Sequence, residues 1–322
     1  MSIHKAEVIK IIHKEPHPNA DSLEIIRVQD YPCCARIGDF KVGDLAVFIE
    51  PDSLVPVDRP EFAFLAGKAK DGYARIRAAK LRGTLSYGLL IKVQEGMQLG
   101  DNVMDTLGIK HYEPVSQQGS EPAASAPNLY CPKYDMENYR AYPDVLKPGE
   151  RVVITEKLNG ESSRYVFHDG KLHVSSHNVW KIYSEKNQWW QMAEKYDLAT
   201  KLAKYPDYIF FGENYGKVKH FRYGHTNDRS LAFFDVLYNG EWLPPLGVRV
   251  HIRHLELPSV PVLYAGAWKE DLVSMAEGRS LVPGADNIRE GIVITPMTPR
   301  VDDRIGRVIL KVVSGEYLAG KY

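Results

Sequence analysis

Short apolar runs separated by turns fill the first hundred residues of the chain. The runs are rich in β-branched and aromatic side chains, while glycine, proline and asparagine lie between them. We expect strands at residues 6–12, 22–29, 45–49, 74–80 and 87–93. About five short strands without the period of a long helix predict a small β-barrel.

The pattern changes to mixed α and β beyond residue 129. We expect strands at residues 152–158, 163–167, 172–175, 208–213, 231–237, 291–295 and 307–313. Helical spacing of apolar residues predicts helices at residues 184–203 and 270–277. Trp189 and Trp190 lie in the first of these, and we expect them in the core rather than against a ligand.

A polar segment of small residues separates the two patterns. Residues 115–126 read VSQQGSEPAASA, which offers too little apolar surface to pack a core. We therefore predict a barrel domain at residues 1–112, a linker at 113–128 and an α+β domain at 129–322. An OB-fold is a common barrel that binds oligonucleotides, and a purely structural barrel is the alternative.

Composition excludes several classes of protein. Lysine plus arginine equals aspartate plus glutamate at 41 each, so the overall charge does not point to nucleic acid. No segment has membrane-spanning length and the N-terminus lacks a signal peptide, so we expect a cytoplasmic protein without a membrane partner. Cys33, Cys34 and Cys131 form no metal-binding or disulfide pattern, and we expect reduced thiols.

Two local clusters of positive charge are candidates for contact with phosphate. The first holds Lys68, Lys70, Arg75, Arg77, Lys80 and Arg82, with Asp71 as its acidic residue and Tyr73 among them. The second holds Lys217, Lys219, His220, Arg222 and Arg229, interleaved with Tyr215, Phe221 and Tyr223. A solvated surface is the alternative for each cluster.

Lys157 ends a β-branched run and is followed by Leu158, Asn159 and Gly160. A lysine at the point where a strand turns is aimed into a pocket, which suits a nucleophile, although an exposed hairpin gives the same short pattern. Downstream, charged residues interrupt four other apolar strands: Glu213, Asp235, Glu290 and Lys311. Isolated charge in such strands is costly unless it is paired or binds a metal. The combination predicts a metal-assisted phosphate pocket, with buried salt bridges as the alternative for one or two of these residues.

The order of these motifs resembles the covalent nucleotidyltransferase superfamily of ATP-dependent polynucleotide ligases and mRNA-capping guanylyltransferases. The chain is most similar to RNA ligases within it. Motifs I, III, IIIa, IV and V match residues 156–160, 211–213, 233–235, 290–293 and 310–311. Residues 132–140, and a barrel that precedes the catalytic domain instead of following it, resemble the fifth family of ATP-dependent RNA ligases.

The resemblance implies a nucleotidyltransferase fold, ATP and Mg²⁺ or Mn²⁺ as cofactors, and a role for each matching residue. The catalytic residues it implies are Lys157, Glu213, Glu290 and Lys311. The nucleotide-binding residues are Glu156, Lys157, Asn159, His177, Glu213, Phe234, Val293 and Lys311, with Phe234 and Val293 against the two faces of adenine. The metal ligands are Asn159, Glu213, Asp235 and Glu290. Phe234 and Asp235 are adjacent in a strand, so we expect them to face opposite ways.

Three positions depart from the family pattern. Asn159 stands where relatives often have aspartate or histidine, and it brings no charge to a metal. His177 follows Ser175 and Ser176 where many RNA ligases have arginine, which predicts a weaker or pH-sensitive contact. Val313 stands where motif V often has a second lysine. Arg307 is a further candidate for contact with phosphate, with a surface salt bridge as the alternative.

We therefore expect an ATP-dependent RNA ligase that forms a lysyl-AMP intermediate and joins 3′-hydroxyl and 5′-phosphate ends. The expected partner is an RNA or RNA/DNA duplex with a nick, bound in part by the basic segment at residues 68–82, and we expect a monomer. A DNA ligase or a capping-type guanylyltransferase is the nearest alternative. A non-catalytic RNA-binding protein with an inactive transferase-like domain is the alternative from another class.

Overall fold

A computed structural model describes residues 4–28, 31–112, 123–216, 221–226 and 228–320. The chain divides into two compact units whose main segments are Ile3–Gln117 and Gln118–Tyr317. Residues 113–122 of the predicted linker lie outside the described residues, and the domain boundaries stay a prediction. No helix in the described parts of the chain has the length and apolarity needed to cross a membrane.

The N-terminal unit is built from short antiparallel strands. They are β1 Ala6–Lys10, β2 Lys14–Pro16, β3 Leu23–Val28, β4 Tyr31–Arg36, β5 Leu45–Ile49, β6 Ser53–Pro56, β7 Tyr73–Arg75, β8 Ala79–Leu81, β9 Thr84–Ser86, β10 Leu89–Lys92 and β11 Lys110–His111. They form sheets in the orders β1-β5-β10, β11-β6-β7 and β2-β3-β4, and a β8-β9 hairpin. Helix α1 spans Met104–Leu107, and Ala63–Lys68 is a 3₁₀ helix.

The predicted strands of this unit appear, but one is divided and the unit contains further strands. The run at residues 74–80 is split between β7 and β8. Strands β2, β4, β6, β9 and β11 were not predicted. Two apolar clusters fill the unit, one centred on Val47, Ile49 and Phe62 and the other on Ile26 and Phe48. Strand β5 joins the two clusters, because Val47 and Ile49 point into one and Ala46 and Phe48 into the other.

The second unit contains two five-stranded sheets. Its strands are β12 Glu137–Asn138, β13 Arg151–Lys157, β14 Gly160–His168, β15 Lys171–Ser176, β16 Ile209–Tyr215, β17 Ser230–Tyr238, β18 Glu241–Trp242, β19 Val262–Ala267, β20 Gly291–Pro296, β21 Val301–Asp302, β22 Gly306–Arg307 and β23 Leu310–Val313. The order β12-β23-β20-β13-β19 forms what we call the Lys157 sheet, and β15-β14-β16-β17-β18 forms the Glu213 sheet. Strands β21 and β22 form a separate hairpin.

Helices cover one face of the Glu213 sheet. They are α2 Gln188–Lys195, α3 Leu198–Leu202 and α4 Pro245–His254, and α5 Gly315–Leu318 follows the last strand. Trp189 and Trp190 pack against this core with Phe210 and Phe233, as expected. On the other face, Phe211 is buried against Tyr134 and Trp242, and Glu213, two residues further along β16, lines a cavity.

The helix predictions were correct in place but not in extent. The helix predicted at 184–203 begins only after Asn187, whose side chain accepts hydrogen bonds from the first turn. It breaks at Asp197, which has a left-handed backbone with φ of 50°. The segment Glu270–Ala276 is a 3₁₀ helix, and α4 was not predicted. Two prolines, Pro244 and Pro245, start α4 because proline suits the first turn of a helix.

Candidate active site

Lys157 and Glu290 form an ion pair at the edge where β13 and β20 meet. Lys157 pairs with Gly291 across the two strands, which brings the neighbouring Glu290 within reach. Lys157 Nζ donates to Glu290 Oε1 at 2.6 Å, and the two side chains are only 20% and 11% exposed. Burial alone would lower the Lys157 pKa, but the carboxylates of Glu290 and Glu213 outweigh it and raise the pKa. The lysine is therefore held as an ammonium in this state.

Glu213 extends from β16 towards the same pair. Burial raises the pKa of Glu213 to about 8, although the Lys157 ammonium opposes the shift. The second oxygen of Glu290, Oε2, is buried and has no hydrogen-bond partner among the residues that the structure describes. A buried acceptor beside a second carboxylate is the kind of donor set that fits a hydrated divalent cation.

The fit to a metal is limited by the number of ligands. Among the residues the structure describes, no three His, Cys, Asp or Glu side chains converge as a metal cluster. The described residues that could hold a cation here are Glu213, Glu290 and the Asn159 amide, with water completing its shell. This is the usual pattern for Mg²⁺, which retains several waters.

A cavity beside Lys157 is lined by both five-stranded sheets. From the Lys157 sheet it takes Thr155, Lys157 and Val293, and from the Glu213 sheet Glu213 and Phe234. Most of the remaining walls are apolar, which suits a planar base. Phe234 and Val293 are thus brought to one cavity, as a base-stacking pair requires.

Phe234 and Asp235 do not alternate as expected. Phe211 pairs with Asp235 and Gly212 pairs with Phe233, so Phe234 is an extra residue in a β-bulge of β17. Both Phe234 and Asp235 line the cavity, and Tyr134 contacts both of them. The expectation of opposite faces was wrong because a bulge interrupts the period of two on which it rested.

Asp235 is held by a buried network. Its Oδ2 accepts from Tyr134 Oη at 2.6 Å and is 2.7 Å from Arg307 Nη2, and its Oδ1 accepts from the N–H of Val236 at 2.9 Å. Arg307 in turn lies over the Trp242 ring, 3.9 Å from its centroid. The side chains of Arg307 and Asp235 are 14% and 5% exposed, so this is a buried ion pair and not a surface salt bridge. Three of the roughly four lone-pair positions of this carboxylate are thereby in use, so Tyr134 and Arg307 would compete with a metal for Asp235.

Two tyrosines fix Asn159. Its N–H donates to Tyr223 Oη at 2.7 Å, and its Nδ2 donates to Tyr317 Oη at 2.7 Å. Tyr223 is buried with a left-handed φ of 50°, and Tyr317 lies on α5. Because the amide nitrogen donates to Tyr317, the amide oxygen is the atom of this side chain that can contact a cation or its water.

Glu156 and Lys311 take different positions around the cavity. Glu156 lines it, but its Oε2 accepts from the N–H of Leu281 at 2.7 Å. Lys311 pairs with Val293 across β20 and β23 without lining the cavity itself. Burial lowers the pKa of Lys311, and nearby Lys157 lowers it further. The two lysines are therefore close enough for their charges to repel.

His177 does not line this cavity. Its Nε2 lies 3.8 Å from Asp135 Oδ1, and the side chain is 37% exposed. Beneath it, Arg164 of β14 donates to the backbone oxygens of Cys131, Pro132, Ser176 and His177. Arg164 thereby connects the turn at His177 to the segment that carries Tyr134, through hydrogen bonds to neutral backbone oxygens. The nucleotide contact predicted for His177 stays a prediction.

The aromatic residues of the second basic cluster are buried and not exposed beside its cations. Residues 217–220 lie outside the described residues. Tyr215, Phe221 and Tyr223 are buried at 8%, 2% and 1% exposure, so they pack a core and offer no surface for stacking bases. Arg229 forms an ion pair with Glu161 at 3.1 Å. Of the two described cations of this cluster, Arg229 is thus paired and Arg222 is exposed.

Several site residues were missed by the sequence analysis. Tyr134 and Tyr317 received no role, and Tyr223 was counted only with the second basic cluster. Arg307 was a candidate for contact with phosphate, with a surface salt bridge as the alternative. Tyr134 and Asp235 are 101 residues apart, and Asn159 and Tyr317 are 158 residues apart. Contacts over such separations leave no local pattern. The one available signal was the match of residues 132–140 to the RNA ligase pattern.

Two largely antiparallel sheets that bring a lysine and two carboxylates together have the arrangement expected of a nucleotidyltransferase. A family model for RNA ligases matches residues 150–313, about half of the chain. The chain belongs to the RNA ligase family. An OB-fold domain model matches residues 5–93, which confirms the fold expected for the barrel.

Solved structures of one enzyme resemble the whole chain. Naegleria gruberi RNA ligase, as a variant with AMP and Mn, superposes with a TM-score of 0.83 and 24% identity over 98% of both chains. The same enzyme with PPi gives 0.82 at 24% identity over 98% of both chains. A variant with ATP and Mn gives 0.81 at 24% identity over 97% of this chain and 98% of that one. The order of an OB domain before a ligase domain is thereby confirmed. No curated protein sequence matches the chain.

Proposed function

We propose that this RNA ligase uses ATP and Mg²⁺ or Mn²⁺, and that Lys157 is its nucleophile. The observation that carries the proposal is the 2.6 Å contact of Lys157 with Glu290, beside Glu213 and a cavity walled by Phe234 and Val293. The Naegleria enzyme, which shares the fold, has been solved with ATP and Mn, with AMP and Mn, and with PPi. These ligands are those of a lysine adenylylation reaction.

The proposed reaction has three transfers. In the first, Lys157 Nζ loses a proton and attacks the α-phosphorus of ATP, so that a P–N bond forms and the bond to pyrophosphate breaks. In the second, a 5′-phosphate oxygen attacks the same phosphorus, and the lysine regains a proton as the P–N bond breaks. In the third, a 3′-hydroxyl attacks the 5′-phosphorus and AMP leaves.

Each group around Lys157 has a part in the first transfer. A bound divalent cation supplies positive charge that favours the neutral amine and offsets the charge of the phosphates. Glu213, Glu290 and Asn159 provide oxygens to hold it. Glu290 would then give up its ion pair with the Lys157 ammonium and bind the cation instead. Lys311 stabilises charge on the α-phosphate by position. Phe234 and Val293 orient the base.

We propose that Asp235 acts mainly by holding neighbouring residues in place. Its carboxylate is engaged by Tyr134, Arg307 and the N–H of Val236, so it fixes the bulge from which Phe234 extends. Glu156, with one oxygen on the Leu281 N–H, shapes the wall of the cavity. The metal contact of Asp235 and the nucleotide contacts of Glu156 and His177 stay predictions, and the same labelling assay on an alanine variant of each residue tests them.

The polynucleotide substrate is proposed to be a nicked RNA or RNA/DNA duplex. We propose that the enzyme acts on it as a cytoplasmic monomer, with domains at residues 1–112 and 129–322. The OB-fold unit, with its exposed cations, provides sequence-independent contact to phosphate, and recognition of the 2′-hydroxyl near the break provides the preference for RNA.

Covalent labelling tests the proposal. Incubation with α-labelled ATP and Mg²⁺ or Mn²⁺ should attach label to the protein in an acid-labile P–N bond. Lys157→Ala should lose the label, while the control Lys171→Ala, at an exposed position on β15, should keep it. Equal labelling of Lys157→Ala would contradict the proposal.

Two further arms separate the alternatives. GTP in place of ATP should give little label, whereas a capping-type guanylyltransferase prefers it. Sealing is then measured with RNA or DNA placed separately on the 3′-hydroxyl and 5′-phosphate sides. A DNA ligase seals all-DNA nicks best, and binding of RNA without label transfer would indicate an inactive transferase-like domain.

A further inference from the structure

The tip of the β8–β9 hairpin has an unusual residue for its backbone. Leu81 pairs with Thr84, so Arg82 and Gly83 form a two-residue turn, with φ of 45° and 91°. Positive φ at both positions is the type I′ geometry, for which Asn-Gly is strongly preferred. A long side chain such as arginine is disfavoured at the first position. A strained residue at an exposed tip points to a role for its side chain.

A polar clamp holds this hairpin from the neighbouring turn. The N–H of Asn19 donates to His17 Nδ1 at 3.1 Å, so the other ring nitrogen, Nε2, carries the hydrogen and donates to the Leu81 carbonyl at 3.1 Å. Asn19 Nδ2 donates to the Arg82 carbonyl at 3.1 Å. His17 is 6% exposed, so the clamp is part of the folded unit. Both hydrogen bonds go to backbone, which leaves the hairpin side chains free to point outward.

The hairpin and its flanks carry positive charge that other contacts do not use. Residues 72–94 contain no aspartate or glutamate. Arg77, Lys80 and Arg82 are exposed and, within the part of the chain that the structure describes, no ion pair involves them. Arg75, by contrast, is paired with Asp52 at 2.6 Å and lies over the Tyr112 ring. The clamp turn adds one exposed carboxylate, Asp21.

We propose that the clamped β8–β9 hairpin is a contact of the OB-fold unit with the phosphate backbone of the RNA substrate. This inference rests on the proposed function. The tip offers arginine and lysine side chains and a short backbone turn, which is chemistry that positions a phosphate chain without reading bases. Because the clamp fixes the hairpin before binding, little conformational entropy is lost when Arg82 and Lys80 engage phosphates.

Arg82→Asn is the variant that separates binding from stability. Asparagine suits the first position of a type I′ turn, so the melting temperature should stay the same or rise. The affinity for a nicked RNA duplex should nevertheless fall about threefold to tenfold at low salt, and the slope of log affinity against log salt should shrink by about one. A purely structural role for Arg82 predicts that stability and affinity move together.

Matched variants complete the test on the full chain. Lys80→Ala with Arg82→Asn should shrink the salt slope by about two, while Arg36→Ala with Lys41→Ala, exposed cations of the same unit, should leave it nearly unchanged. Asn19→Ala keeps both cations but loosens the clamp, so affinity should fall with an unchanged slope. If the hairpin variants bind RNA with unchanged affinity and salt slope, the proposal is wrong. It is also wrong if these variants lose more affinity for poly-glutamate than for RNA.

Labelling with ATP separates this proposal from the previous one. Lysine adenylylation needs no polynucleotide, so the hairpin variants should label as the wild-type protein does. A wild-type protein without label contradicts the proposed function. A protein that labels normally, and whose hairpin variants bind nicked RNA with wild-type affinity and salt slope, contradicts the hairpin contact alone.

Discussion

The two five-stranded sheets of the catalytic unit line the same cavity but follow different rules. In the Lys157 sheet, the pairing of β13, β20 and β23 runs without a break, so Thr155, Val293 and Lys311 occur side by side. In the Glu213 sheet, a bulge at Phe234 breaks the register between β16 and β17. The three strands β13, β20 and β23 place these residues by alternation, although β13 shifts its register against β19 on its other side. The Glu213 sheet needs long-range contacts to aim its residues.

The two sheets also differ in the position of the residue that neutralises their buried charge. Lys157 of the first sheet is paired with Glu290, a residue next to its strand partner Gly291. Asp235 of the second sheet is paired with Arg307, which precedes β23 by several residues and belongs to a different hairpin. The ion pair of the first sheet therefore joins two neighbouring strands of the same sheet, while that of the second joins a strand of the sheet to a separate hairpin.

The largest effect should come from a glycine of the Lys157 sheet. A Cβ on Gly291 would lie 2.1 Å from the Val312 carbonyl oxygen, which is backbone and cannot move aside. A Cβ on Gly212 of the Glu213 sheet would first meet the Leu231 Cδ1 at 2.8 Å, the end of a flexible side chain. Gly291→Ala should lower the free energy of unfolding by about 3 kcal/mol or more, and Gly212→Ala by about 1 kcal/mol. Urea unfolding of both variants measures this, and equal losses would contradict the comparison.

The next effect should come from the ion pair under the bulge. Arg307→Met leaves the Asp235 carboxylate buried with Tyr134 and a backbone N–H as its remaining partners, and should cost about 3 kcal/mol of stability. Tyr134→Phe keeps the ion pair and removes one hydrogen bond, so it should cost about 1.5 kcal/mol. Thermal unfolding followed by calorimetry measures both. If Tyr134→Phe proves the more damaging, the ion pair does not hold the bulge.

The sequence predicted the strands that carry the site better than the contacts that complete it. Lys157, Glu213, Phe234 and Val293 were expected together and line one cavity, since each lies on a strand with a clear apolar pattern. The bulge at Phe234 has no such signal, because both Phe233 and Phe234 are apolar. The pairing of Arg307 with Asp235 joins residues from separate hairpins, and no local period records it.

The length of the predicted helix at 184–203 failed for a related reason. Its apolar spacing continues through Tyr196 and Leu202, but Asp197 between them adopts a left-handed backbone. Aspartate tolerates that conformation better than most residues, yet nothing nearby in the sequence marks the break. The order of motifs was more informative, because it combines five positions spread over both sheets.

The third effect should appear in nucleotide binding. Phe234→Ala removes the predicted stacking face, and base stacking on an aromatic ring contributes about 2 kcal/mol. The KM for ATP in the labelling reaction should therefore rise roughly thirtyfold, with a smaller change in the rate at saturation. Phe234→Tyr keeps the ring and should restore most of the affinity. An unchanged KM for Phe234→Ala would place the base elsewhere.

The smallest effect should come from Tyr317, and it depends on the identity of residue 159. Asparagine has two different ends, and Tyr317 accepts a hydrogen bond from the amide nitrogen at 2.7 Å, which leaves the amide oxygen for a cation or its water. Tyr317→Phe should therefore slow lysine labelling about threefold to tenfold. In an Asn159→Asp background the two oxygens are equivalent and no orientation is needed, so the same Tyr317→Phe change should have little effect. A double-mutant cycle on the labelling rate measures this coupling, and two additive losses would show that Tyr317 acts only through the packing of α5.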